Sequence, residues 1–355
     1  MSKGYLVFEN GTVFTGELHG DPKPVCGEAV FNTSMNGYQE VITDPSYAGQ
    51  ILVFTYPQIG NYGFGDYGFE SKKPALQGLV VKEMSTVTGH YESKWSFNEF
   101  IKKFNLNCLS GVDTRAIARM IRMKGSMGAV MTGTMDSMEM LKEQAAKGKS
   151  LLDSDLVKRV SRDSIEVVGE GKRNIVLWDF GTKNGIIRSL LRRGCKVTIV
   201  PAETKADTIL SYKPDGVVLS NGPGNPESCD YAIRELKKLT GKIPIFGICL
   251  GHQLLALAMG ASTYKLTFGH RGGNHTVKDT SGKCFISSQN HGYAVDAKSL
   301  TGTGLKVNFI NLNDNTVEGL CHEKLPLMSV QFHPEATPGP QDTGYLFDRF
   351  LALTA

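Results

Sequence analysis

The run Pro244-IFGI-Cys249-LGHQLLALAM-Gly260 decides the fold. A strand-length apolar segment ends in Gly-Ile-Cys-Leu-Gly, and a helix-forming stretch follows at once. The cysteine therefore stands on the turn between a buried strand and a helix. Gly247 and Gly251 bracket it, and residues without a Cβ let neighbouring backbones close on a turn that sharp. A cysteine at a helix N-terminus meets N–H groups and a dipole that favour negative charge, and the same amides, Leu250 first, can hold an oxyanion. Cys249 thus reads as a nucleophile. Cys26, Cys108, Cys195, Cys229, Cys284 and Cys321 have no such setting and read as small packing residues.

Upstream of this turn the pattern repeats. NIVLWDFG, a helix near 183–193, CKVTIVP, a helix near 206–212, GVVLSNGPG and a helix near 230–239 alternate apolar strands with helices, which predicts an α/β domain with a mostly parallel sheet. Further strands near 285–288, 307–311 and 328–332 extend the sheet, and GYLFDRFLAL predicts a last amphipathic helix. Before position 148 the character differs. Short β-branched and aromatic runs separated by Gly, Pro and Asn turns predict a β-rich α+β domain, with helices over TRAIARMIRMK, capped by Asp113 and Gly125, and over 137–146. The polar stretch 151–172 lacks sustained periodicity, so the expected organisation is an N-terminal domain over 1–150, a linker over 151–172 and an α/β domain over 173–355.

A cysteine nucleophile needs a base and a group to orient it. Leu327-MSVQF-His333-Pro-Glu335 supplies both, because alternate residues at a strand's end project the same way and a carboxylate two positions on can hold the imidazole in one tautomer. Ser220-Asn-Gly222-Pro-Gly224-Asn-Pro follows a strand at the same sheet edge, where α/β sites lie, and Ser288-Gln-Asn290-His-Gly292-Tyr293 is a second polar cluster. His19, His90, His270, His275 and His322 read as structural. Gly63-Phe-Gly-Asp-Tyr-Gly68 matches a dinucleotide fingerprint only as letters, since no helix follows it. Without a G-x-x-x-x-G-K-[ST] loop, an HExxH or an acidic calcium loop, no ATP site, metal or other cofactor is expected on this chain.

The 355 residues carry a formal charge of only +4 with no clustered charge, so neither nucleic acid nor an anionic membrane is an expected partner. No apolar run reaches the roughly 18 to 20 residues of a membrane span. The opening MSKGYLVFENG is too short an apolar stretch for a signal-peptide core, and seven cysteines without a CxxC pair predict thiols in a reducing cytoplasm.

In order, the segments GICLGHQ, LSNGPG, SQNHGYAVD and SVQFHPEATPGP resemble class I glutamine amidotransferases. FNTSMNGYQEVITDPSYAGQ at 31–50 and SGVDTRAIARMIR at 110–122 narrow the resemblance to the small, glutamine-hydrolysing subunits of carbamoyl-phosphate synthase, over nearly the whole chain. The resemblance implies Cys249 as nucleophile, His333 as base and Glu335 as orienting acid. It implies glutamine contacts at Ser46, Gly222, Gly224, Leu250, Gln253, Asn290, Gly292 and Tyr293. It also implies a γ-glutamyl thioester and a heteromeric partner, a large synthetase subunit that uses ATP, Mg and bicarbonate to make carbamoyl phosphate for arginine or pyrimidine synthesis. Asn225 stands where Asp is frequent in the family, and Tyr293 where Phe is frequent. The competing readings are an amidotransferase serving another synthase, against which the β-rich N-terminal domain argues, and an inactive scaffold, against which the intact Cys249, His333 and Glu335 argue.

Overall fold

Along the strand Arg173–Asp179, Ile175 and Leu177 enter one apolar core while Val176 and Trp178 enter another. This two-residue alternation is what a sheet covered on both faces requires. The same division recurs at Val217 and Leu219 against Val218, and at Ile245 against Phe246 and Ile248. In the computed structural model, which describes residues 2–135 and 137–354, the chain divides into two units, Met1–Leu156 and Val157–Ala355.

The second unit is built on one ten-stranded sheet. Five strands run parallel, in the order Cys195–Pro201, Arg173–Asp179, Gly216–Leu219, Ile245–Ile248, Leu327–Val330. Antiparallel strands flank them: Glu166–Val168 on one side, and Val317–His322, Leu305–Asn311, Thr263–Asp279 and Cys284–Val295 on the other. The helices Asp230–Leu239 and Leu250–Ala258 supply one core, and Asn184–Leu191 and Tyr345–Ala352 the other. The fold class expected from the sequence is the one observed.

The first unit contains a closed barrel in which Ser2–Phe8, Val13–His19, Cys108–Ser110, Gly78–Val80, Gln50–Phe54, Val25–Asn32 and Met127–Thr132 pair in that order, so among the described residues no barrel strand is left as a free edge. The helix Thr114–Lys124 begins where Asp113 accepts a hydrogen bond from the Ala116 amide at 2.9 Å, and ends at Gly125 with φ 89°. The helix Met138–Ser150 runs four residues beyond the expected 146. Phe97–Phe104, missed in the sequence, is a helix whose Ser96 and Glu99 form a reciprocal capping box.

The stretch 151–172, expected as a linker, contains the boundary between the units. Its later part is not free chain: Ser161 Oγ donates to the Asp179 carbonyl at 2.8 Å, and Glu166–Val168 adds an edge strand to the second sheet. Among the described residues, no helix is long and apolar enough to cross a membrane.

Candidate active site

Cys249 is forced into its place by close packing. Its φ of 54° and ψ of −103° lie where residues with a side chain rarely go. The strand before it and the helix after it meet so closely that a Cβ on Gly247 would lie 2.6 Å from the Gly251 carbonyl oxygen, and one on Gly251 would lie 2.3 Å from that of Leu219. The backbone of Cys249 is tied on both sides, its amide donating to Val330 at 2.9 Å and its carbonyl accepting from Gln253 at 3.2 Å. Cys249 is 2 % exposed, and its thiol donates to the Asn290 carbonyl at 3.6 Å.

His333 continues from the neighbouring strand, its amide donating to Ser288 at 2.9 Å. Its Nδ1 lies 2.6 Å from Glu335 Oε1, so that nitrogen carries the proton. Nε2 is buried without a formed hydrogen bond; the Cys249 thiol interacts with the ring but is not aligned on it as a hydrogen-bond partner in this resting arrangement. Burial alone would lower the His333 pKa. The Glu335 carboxylate, with the thiol's help, outweighs burial and Lys183 and raises it. His252, equally buried, has only Ser329 Oγ at 2.9 Å and no carboxylate, and burial pushes its pKa down to about 3. Two histidines of the same unit are thus shifted in opposite directions by their neighbours.

Lys183 was not singled out in the sequence. It is 2 % exposed, and its Nζ donates to Glu335 Oε1 at 3.0 Å and to the Ala336 carbonyl at 2.7 Å. Burial would raise the Glu335 pKa, but Lys183 and His333 together hold it down to about 2. A legible signal existed: a lysine just ahead of the helix Asn184–Leu191 opposes the helix dipole, and such a residue needs another reason to be there.

The expected glutamine contacts divide by unit. Ser46 belongs to the first, on the turn Pro45–Tyr47, where its amide donates to Asp44 Oδ1 at 2.9 Å. The others belong to the second. Gly222 packs so tightly that a Cβ would lie 2.7 Å from Leu250 Cδ2, which brings the glycine loop against the first residue of the nucleophile helix. Gly224 has φ 87°. The Gly251 amide is already bonded to the Ser220 carbonyl at 3.0 Å, whereas Leu250, at the first helical position, has no acceptor within the helix. Asn290, Gly292 and Tyr293 lie on Cys284–Val295, with the Asn290 carbonyl at the thiol and the Tyr293 carbonyl accepting from Gln253 Nε2 at 2.9 Å. Asn225 accepts from the Glu227 amide at 3.1 Å, a capping role that an Asp carboxylate fills equally well.

A second polar cluster, His270, His291 and Glu318, brings possible metal-ligand atoms within 4.8 Å of one another. Its nitrogens are engaged by protein. His270 lies between Asp314 Oδ2 at 2.8 Å and Glu318 Oε1 at 3.5 Å, carboxylates that outweigh burial and push its pKa up to about 9. His291 contacts the Tyr293 carbonyl at 2.7 Å and Gln289 Oε1 at 2.6 Å. The cluster is an internal ion pair joined to a hydrogen-bond network.

A cysteine on a strand–helix elbow beside a His–Glu pair, on a sheet of this topology, defines a class I glutamine amidotransferase domain; the family "Glutamine amidotransferase class-I" matches residues 176–353. Residues 6–131 match "Carbamoyl-phosphate synthase small chain, CPSase domain". The chain is 50 % identical over 354 residues to the carbamoyl phosphate synthase small chain of Staphylococcus epidermidis, covering 99 % of this chain and 96 % of that one. It is 48 % identical over 350 residues to the arginine-specific small chain of Bacillus subtilis, covering 98 % and 96 %. The chain belongs to the carbamoyl-phosphate synthase small-chain family.

Proposed function

We propose that this chain hydrolyses L-glutamine to glutamate and ammonia through Cys249 and passes the ammonia to a large synthetase chain that makes carbamoyl phosphate. The observation that carries the reading is the strained Cys249, with its thiol beside His333 and His333 Nδ1 on Glu335 Oε1 at 2.6 Å. In the first half-reaction His333 takes the thiol proton as sulfur bonds to the side-chain amide carbon of glutamine. The oxyanion is received by the Leu250 amide and the Gly222 loop. The carbon–nitrogen bond then breaks and the imidazolium gives its proton to the leaving nitrogen. Water, deprotonated by His333, hydrolyses the γ-glutamyl thioester and returns the thiol. Glu335 stays ionised throughout and stabilises the imidazolium.

Gly222, Gly224, Gln253, Asn290, Gly292 and Tyr293 complete the glutamine pocket in this reading. ATP and Mg belong to the large chain, and this chain needs no cofactor of its own. The pair forms a hetero-oligomer. All seven cysteines are free thiols, which suits a reducing cytoplasm.

The test is the glutaminase rate of the intact chain and of Cys249→Ala, each alone and with a carbamoyl-phosphate synthase large chain. The expected result is slow hydrolysis alone, strong stimulation by the large chain, and a loss of at least about a thousandfold in the variant. Hydrolysis that survives in Cys249→Ala removes the covalent mechanism. Cys249-dependent hydrolysis indifferent to the large chain keeps the chemistry and reopens the choice of synthase.

A further inference from the structure

Gln331 is wholly buried between Val330 and Phe332 at the end of the strand that leads to His333. Its backbone amide donates to the Glu318 carbonyl at 2.9 Å, and its side chain makes one hydrogen bond, Oε1 accepting from Gln253 Nε2 at 3.0 Å. Gln253 Nε2 also donates to the Tyr293 carbonyl at 2.9 Å. A carbonyl can only accept, so the Gln253 amide must turn its nitrogen that way, and its second N–H then requires an acceptor, which Gln331 supplies. The Tyr293 carbonyl is itself fixed by His291 Nδ1 at 2.7 Å. Both hydrogens of the Gln253 amide are thus spent on protein, and its Oε1 is left without a hydrogen bond among the described residues.

We propose that Gln331 is a positioning residue for substrate recognition: it locks the Gln253 amide so that Oε1 is presented to the α-ammonium of L-glutamine. This rests on the amidotransferase reading and deepens it. Gln253 stands one helical turn beyond Cys249, about 6 Å along the axis. With the carboxamide carbon at the sulfur, the far end of the substrate reaches that level. Of the two groups there, the ammonium donates and is attracted to Oε1, while the carboxylate accepts and is repelled. Without the Gln331 acceptor, only the Tyr293 carbonyl holds the Gln253 amide, and Oε1 is no longer fixed in one direction.

Gln331→Met keeps the length of the side chain and removes the acceptor. The Gln331 Nε2 it also removes is buried without a hydrogen bond, so the loss of stability is confined to the single hydrogen bond from Gln253 Nε2. The measurement is steady-state hydrolysis by the full chain of L-glutamine and of 4-carbamoylbutanoate, which lacks the ammonium, with thermal unfolding of each variant. The expected result is a KM for L-glutamine raised roughly tenfold with kcat within about twofold, the KM for 4-carbamoylbutanoate unmoved, and Tm lowered by no more than about 4 °C. Gln331→Glu, which keeps an acceptor oxygen, should restore the KM for L-glutamine; if the Met variant does not fold, Gln331→Leu is measured in its place. An unchanged KM for L-glutamine in a folded variant overturns the proposal, as does an equal rise for both substrates. Turnover that persists in Cys249→Ala in the same assay is a different failure, that of the amidotransferase reading itself.

Discussion

Glu335 Oε1 receives two hydrogen-bond donors, His333 Nδ1 at 2.6 Å and Lys183 Nζ at 3.0 Å, in a site sealed from water. The depressed Glu335 pKa contributes stability above the ordinary value of 4.5, and this is lost as pH falls towards about 2. The raised His333 pKa contributes stability that is complete below 6.5 and is lost as pH rises through its folded value, about 10. The stability difference between the intact chain and Glu335→Gln should therefore be widest between about pH 4.5 and 6.5 and narrow on both sides. Denaturant titrations across that range measure it, and a difference flat from pH 3 to 9 would show that the pair does not act as described. Lys183→Met removes the donor to the Ala336 carbonyl and the ammonium on Glu335, a loss expected to cost about 3 kcal/mol in the same titrations. His333 and Glu335 were legible because His-Pro-Glu ends an apolar strand. Lys183 and Gln331 were not, because pairing between segments 152 and 78 residues apart is set by the sheet's strand order rather than by any local pattern.

At the scale of elements, the strand–turn–helix around Cys249 stood out in the sequence because every part of it is local: apolar strand, glycine, cysteine, glycine, helix. The structure adds the reason each glycine is there. A Cβ on Gly251 meets the Leu219 carbonyl oxygen at 2.3 Å and the Leu219 Cβ at 2.6 Å, and a strand inside a parallel sheet cannot withdraw. Gly251→Ala should therefore cost about 2 kcal/mol or more and displace Cys249, lowering both unfolding midpoint and glutaminase rate. Gly260, at the far end of the same helix with φ 94° and nothing within 4 Å of a Cβ, is the control. Gly260→Ala should carry only the dihedral strain, about 1 kcal/mol, and leave the rate unchanged. Elements whose definition is not local were harder to read. Thr263–Asp279 is a 17-residue strand, yet its glycines, charges and two register shifts against Cys284–Val295 hide the alternation that identifies a strand. Phe97–Phe104 was hidden differently, since eight residues give too short a period to weigh against the surrounding turns, although its Ser-x-x-Glu start was readable.

Over the whole molecule, chemistry and family specificity fall on different units. Cys249, His333, Glu335, Lys183 and Gln331 all belong to Val157–Ala355, and both large apolar cores of that unit are drawn from residues 157 onward. The segment that matches the carbamoyl-phosphate synthase small-chain domain, 6–131, belongs wholly to the other. The second unit, with its own cores covering both faces of one sheet, meets the requirements of an independently folding domain. A chain of residues 157–355 should therefore fold cooperatively and retain Cys249-dependent hydrolysis of glutamine. It should not be stimulated by a large synthetase chain, because recognition of that partner is expected to lie on the barrel unit. Adding the large chain to matched amounts of the full chain and of 157–355 separates the two contributions. Stimulation confined to the full chain assigns recognition to residues 1–156, whereas equal stimulation of both would move the recognition surface onto the amidotransferase unit, where the ammonia is released.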